Sequence, residues 1–154
     1  MFKTIIVGTD GSESAMHAVQ IAADLAASQG DATLHIVSVQ KPMASTAIAS
    51  SEMAVAGSAA AAMEWEEDAR QNIEGTLDQA ARDVAREGLA IETHSRFGSP
   101  AEVLCELAAH LNADLIVVGN KGMQGGRRFL GSVPNTVSHH SPCSVLIAAT
   151  QATT

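Results

Sequence analysis

Lys3-Thr4-Ile5-Ile6-Val7-Gly8-Thr9-Asp10-Gly11-Ser12 decides how the rest of the chain is read. Its first half is a continuous β-branched run, which suits a strand buried on both faces, as in a parallel sheet. Its second half is a polar turn, in which Ser12 is a good N-cap for the next segment. From Glu13 to Ser28, Ala15, Ala18, Val19, Ala22, Ala23, Leu25 and Ala26 recur at helical spacing, and Gly30 stops the helix. Ala32 to Val39 reads as a second strand. One strand–helix–strand unit with a buried first strand already points to an α/β sheet.

The same alternation continues outward. Lys41 to Met63 has no usable period and is expected to be a variable surface insertion, with its end at Ala59 to Ala62 open to helix. Glu64 to Glu87 is expected to form a long charged helix with Ala69, Ile73, Leu77, Ala80, Ala81 and Val84 on one stripe, closed by Gly88. Leu89 to Arg96 alternates, with Leu89, Ile91 and Thr93 against Ala90, Glu92 and His94, as an edge strand does. Ser99-Pro100 opens a helix, with Ser99 as N-cap, Glu102 in its first turn and an apolar stripe of Val103, Leu104, Leu107, Ala108 and Leu111. Asp114 to Gly119 is a fully buried fourth strand, Ser132 to His140 a last helix, and Ser144 to Ala149 a fifth strand. The expected architecture is a single α/β domain over residues 1–150, with a mostly parallel sheet and right-handed crossovers. Residues 151–154 are a polar tail.

Composition narrows the function classes. The 154 residues hold 9 Lys+Arg against 17 Asp+Glu, a formal net charge of -8. That balance argues against a nucleic-acid binder, which gains most from neutralising phosphates. Aromatic residues make up only 3%, with no Tyr, too few rings for a base-stacking platform. The longest apolar runs, such as Leu115-Ile116-Val117-Val118, fall far short of the ~20 residues that cross a bilayer. The stretch MFKTIIVGTDGS is too short and too early in polar residues for a signal peptide. With two cysteines, Cys105 and Cys143, in no metal-type spacing, a reduced cytoplasmic protein with packed thiols is expected.

Two strand ends differ from ordinary connections. One is Gly8-Thr9-Asp10-Gly11-Ser12. The other runs from Gly119 to Ser132 and holds five of the 12 glycines and, at Lys121, Arg127 and Arg128, three of the nine basic residues. Glycine lets backbone N–H groups turn toward an anion, and Ser132 adds a hydroxyl and the positive end of a helix dipole. A local anion site is one reading; a glycine-rich surface loop with solvated arginines is the other. The loop is not a Walker A loop, because no glycine precedes Lys-Ser or Lys-Thr. Nor does the first turn carry the dinucleotide fingerprint G-x-G-x-x-G.

Here the chain resembles the universal stress protein family. The resemblance rests on Ile5 to Ser12, on Asp114 to Gly119, on the loop through Gly131-Ser132-Val133, and on Ser138-His139-His140-Ser141-Pro142-Cys143-Ser144-Val145-Leu146-Ile147. It implies an open five-stranded parallel sheet in the order 3-2-1-4-5 with helices on both faces, reversing between strands 1 and 4. The family's ATP-binding branch carries G-x2-G-x9-G-[ST]. Gly119-x2-Gly122 and Gly131-Ser132 fit, but eight residues separate Gly122 from Gly131, one fewer than the pattern. The resemblance implies an adenine nucleotide (ATP, ADP or AMP) at the first loop, Gly8, Thr9 and Asp10, with Asp10 near the ribose and phosphates, through Mg or Mn. It implies that backbone groups of Val39 meet adenine and that Gly119, Gly122, Gly131, Ser132 and Val133 line the ribose and phosphates. Lys121 and Arg127 join that set on charge alone. It also implies a homodimer through the exposed edge strand 144–149.

Several residues carry plainer readings. Asp10 also suits an Asx-type turn or a helix cap. His139 and His140 point about 100° apart on a helix and suit its negative end better than a metal. Cys105 and Cys143 have no base at readable spacing. Met43, Met53 and Met63 read as flexible filler. The expected function is a nucleotide-binding stress sensor or adaptor. The alternatives are a weak ATPase, for which Asp10 is the one candidate base, and a homodimeric interaction protein without nucleotide.

Overall fold

A computed structural model describes residues 1–41, 58–120 and 132–149, the side chains of 58–60 excepted. The elements run β1 (Thr4–Gly8), α1 (Glu13–Gln29), β2 (Thr33–Gln40), α2 (Ser58–Val84), β3 (Ala90–Phe97), α3 (Pro100–Leu111), β4 (Leu115–Gly119), α4 (Ser132–His140) and β5 (Ser144–Ala148). All pairings are parallel and the strand order is β3-β2-β1-β4-β5, as the resemblance implies.

The uninterrupted apolar strands follow from a sheet that is dry on both sides. Ile5, Val7, Leu34, Ile36, Leu115 and Val117 face α1 and α2. Their neighbours Ile6, Val37, Ile116 and Val118 face α3 and α4. Each buried Leu, Ile or Val side chain contributes roughly 1.5–3 kcal/mol of transfer free energy. Small residues on α1, at Ala18, Ala22, Ala23 and Ala26, form its buried face. Ser12 caps α1 by accepting the Ala15 N–H at 3.3 Å, and Gly30 ends it at φ 80°.

Three local expectations differ from the structure. Helix α2 starts at Ser58, inside the expected insertion, and ends at Val84 rather than Glu87. Its Ala-rich start has the highest helix propensity. At its end, Arg86 Nε donates to the Val84 carbonyl and its Nη1 reaches Asp24 Oδ1 at 2.8 Å on α1, so the side chain closes the helix. Ser99 stands at the N-cap of α3, but its side chain makes no capping bond. Pro100 at the first position already removes one unpaired donor. On β3, Thr93 is exposed although it shares a face with the half-buried Ile91, while His94 on the opposite face is half-buried. Tertiary contact overrides the alternation there, because His94 packs against His35 of β2.

A carboxylate contact at the start of the sheet and an imidazole contact midway along two of its strands hold strand pairs together. Asp114 Oδ2 accepts the N–H groups of Lys3 at 2.8 Å and Thr4 at 2.9 Å, and the Asp114 N–H returns a bond to the Thr4 carbonyl at 2.9 Å. The Thr4 and Lys3 amides hold the Asp114 carboxyl below the usual carboxylate range. On the other side, His35 Nδ1 meets His94 Nε2 at 2.9 Å. Burial pushes both imidazoles toward the neutral form. At His94, the His35 and Arg96 charges add to that shift, and Glu92 opposes it at both rings.

Both effects have the same sign. A carboxylate or imidazole whose pKa is lowered on folding gives stability that is lost as pH falls, because the unfolded chain then binds more protons. The His pair should lose its contribution as pH drops below about 6.5, and Asp114 as it drops below about 3.9. Urea midpoints across pH 3–8 should therefore show two limbs. His94→Gln is expected to flatten the limb between pH 5 and 7, and Asp114→Asn the one below pH 5.

Candidate nucleotide site

The chain leaves β1 toward α1 on one face of the sheet and leaves β4 toward α4 on the other. The two exits diverge, and a crevice opens at the carboxyl ends of these adjacent strands, where open α/β sheets place ligands. The crevice is a cavity of about 220 Å³. Its wall includes Val37, Val39, Leu104, Val118 and Val133, and its rim Thr9, Asp10, Ser14 and Ser132.

The turn after β1 is tightly specified. Thr9 is buried, its N–H donates to the Val37 carbonyl at 2.8 Å, and its Oγ1 accepts the Gly11 N–H at 3.1 Å. Asp10 Oδ1 accepts the Ser12 N–H at 3.0 Å, the turn reading of this residue made concrete. Gly11 sits at φ +78°, and a Cβ there would stand 3.1 Å from Thr76 Cγ2 on α2. These contacts hold the exposed Asp10 at the cavity rim.

Val39 owes its place to strand lengths. In a parallel ladder, alternate residues turn both backbone groups to the same neighbour. Val37 turns its carbonyl to Thr9, so Val39 is the next residue of β2 to face that side. The last β1–β2 pair is Gly8 with Val37, so at Val39 the cavity lies where β1 would continue. At the other wall, Ser132, Val133 and Pro134 bring the first turn of α4 to the cavity.

The structure thus gathers Gly8, Thr9, Asp10, Val39, Gly119, Ser132 and Val133 around one cavity. Lys121, Gly122, Arg127 and Gly131 lie outside the described residues. Ser14, Ala15, Pro100, Leu104 and Pro134 also line it. Leu104 and Pro100 carried a signal as part of the α3 stripe and start; nothing in their spacing marks them as cavity residues.

Elsewhere, His140 Nδ1 donates to the Thr136 carbonyl at 3.0 Å, the helix-end role expected of it. Cys105 packs half-buried against the α3–α4 core, and burial pushes its thiol up, away from the thiolate. A different cluster has no signature in the sequence. His35, Glu92 and His94 come together although the two histidines are 59 positions apart.

The model of the universal stress protein family matches residues 1–149. A Mycobacterium tuberculosis universal stress protein is 36% identical over 157 residues, covering 97% of each chain. A crystal structure of a universal stress protein in complex with cAMP is 31% identical, covers 97% of this chain and 98% of its own, and superposes with TM-score 0.66. An Archaeoglobus fulgidus universal stress protein in complex with dAMP shares the fold at 20% identity and TM-score 0.66, over 95% of this chain and 97% of its own.

The turn after β1 supplies a direct test. A left-handed non-glycine residue costs roughly 1–2 kcal/mol, and the contact with Thr76 adds to it. Gly11→Ala should lower the unfolding free energy by about 2 kcal/mol in urea titrations. Thr76→Ser in the same chain should recover only the steric part.

Proposed function

The chain belongs to the universal stress protein family, and from that premise we propose that it binds an adenine nucleotide in the cavity at the ends of β1 and β4. In this reading it acts in the cytoplasm as a stress-response sensor or adaptor. The observation that carries it is one cavity with an apolar wall beside a polar rim at a helix start.

The residues present fit such a ligand. Val37, Val39, Leu104 and Val118 offer an apolar slot for a flat base. The inward-facing N–H and C=O of Val39 suit the donor and acceptor edge of adenine. Ser132 and the first turn of α4 suit phosphate oxygens, since a helix start presents N–H groups and positive potential. Asp10 would hold the ribose hydroxyls, or the phosphates through Mg or Mn. The cAMP and dAMP complexes of similar proteins support an adenosine phosphate as the class. Asp10 Oδ1 already accepts the Ser12 N–H, which favours binding over a free general base for hydrolysis.

A second, compatible reading is a homodimer through β5. It is one of the two outer strands of the sheet, and Ile147 on it is 36% exposed. An apolar edge of this kind invites pairing with a second copy.

Ligand at ten times its Kd stabilises a folded chain by about 1.4 kcal/mol, roughly 3–6 °C in Tm for a domain of this size. Cyclic AMP, AMP, ADP or ATP at millimolar concentration is expected to give such a rise. Asp10→Ala and Val39→Glu, checked for folding by circular dichroism, should remove it. If none of the four nucleotides moves Tm, the nucleotide reading fails. Light scattering should give a dimer that Ile147→Lys converts to monomer; a wild-type monomer would end the second reading.

A further inference from the structure

We propose that His35, Glu92 and His94 form a binding site for a divalent transition-metal ion of the zinc class, separate from the nucleotide cavity. His35 stands on β2 and the other two on β3, with His35 paired to Glu92 and Val37 paired to His94 in the parallel register. All three side chains therefore project from the same face of the sheet. Helix α2 packs on the opposite face of β3, against Leu89 and Ile91.

The donor atoms already converge. His35 Nδ1 and His94 Nε2 are 2.9 Å apart, and Glu92 Oε2 lies 3.5 Å from the first and 4.0 Å from the second. Two imidazole nitrogens on a tetrahedral zinc ion, each at 2.0–2.1 Å, stand about 3.3 Å apart. An ion between them needs the rings to separate by about 0.4 Å, within small side-chain rotations. Two neutral imidazoles and a carboxylate match the ligand preference of zinc and its neighbours, whereas calcium and magnesium prefer oxygen alone.

The setting is that of a site with an open side. The histidine side chains are 7% and 14% exposed, and that of Glu92 is 61% exposed. The buried His35 and the half-buried His94 thus form a floor, and the exposed carboxylate is a third ligand on the solvent side. A water completes four coordination from there, as in zinc sites with three protein ligands. The neutral imidazole is the form that ligates. Without metal, one ring donates an N–H hydrogen bond to the other. With metal, both facing nitrogens present lone pairs, and that ring's proton moves through water to its outer nitrogen. Arg96, two residues along β3, turns its Nη1 to the Ser95 carbonyl at 2.9 Å.

His35 lies two residues before the cavity-lining Val37 on the same face of β2, about 7 Å along the strand, and Val37 is the register partner of His94. None of the three residues lines the cavity, so the site neighbours it without sharing a side chain with it.

Zinc chloride alone, titrated into the metal-stripped full chain by calorimetry, is expected to bind with one equivalent in the micromolar range, more weakly at pH 5.5 than at pH 7.5. Glu92→Gln should weaken binding at least tenfold, and His94→Gln should abolish it. The double variant His139→Gln, His140→Gln should bind as wild type does. Absence of stoichiometric binding by the wild-type chain, or binding undiminished in both Glu92→Gln and His94→Gln, overturns the proposal. Histidine ring NMR of the wild-type chain decides independently if His94→Gln does not fold. Zinc should move the His35 and His94 ring resonances, and shifts confined to His17, His110, His139 or His140 would overturn the assignment.

Discussion

A sheet that is dry on both faces governs the molecule. Ile5, Ile6 and Val7 of β1, and Ile116 and Val117 of β4, are buried on whichever side they point. Strands of this kind need helices above and below, and right-handed crossovers settle which connection goes where. Helices α1 and α2 take one face, α3 and α4 the other. The change of face occurs between β1 and β4, and there the chain has to part. The cavity is therefore a product of how the hydrophobic demand of the central strands is met, not an addition to the fold.

The polar residues around that cavity show how position is converted into chemistry. Thr9 is consumed by structure, with its backbone on Val37 and its hydroxyl on Gly11. Asp10 is the next residue and stands exposed at the rim. Val39 lines the cavity because β2 runs beyond the last residue that β1 pairs with it. A side chain, a strand length and a helix start thus serve one opening, each positioned by elements that are rigid for other reasons.

Much of this was legible in the sequence, for local reasons. The run Lys3 to Gly8 with Ser12 behind it, and the run ending at Gly119, carry signals that act within a few residues: β-branching, a cap, a glycine. The reversal in strand order was legible from the family resemblance, and with it the cavity membership of Gly8, Asp10, Gly119 and Ser132. What was not legible is long-range. Asp114 reaches Lys3 across 111 positions and His35 reaches His94 across 59, and no periodicity encodes such partners. The same contact explains why the alternation of β3 misleads: His94 is drawn inward by a residue on another strand. Leu104 lines the cavity for a similar reason, since a helix stripe announces burial but not what the buried residue borders.

The Asp114 bracket has a consequence for the opposite end of the strands. It ties the start of β1 to the start of β4, while the chain parts at their other ends. β1 is only 5 residues long. The spacing of the walls where the exits diverge is therefore held one short strand below. Any ligand held there would meet β1 and β4 walls that do not have to be assembled on capture.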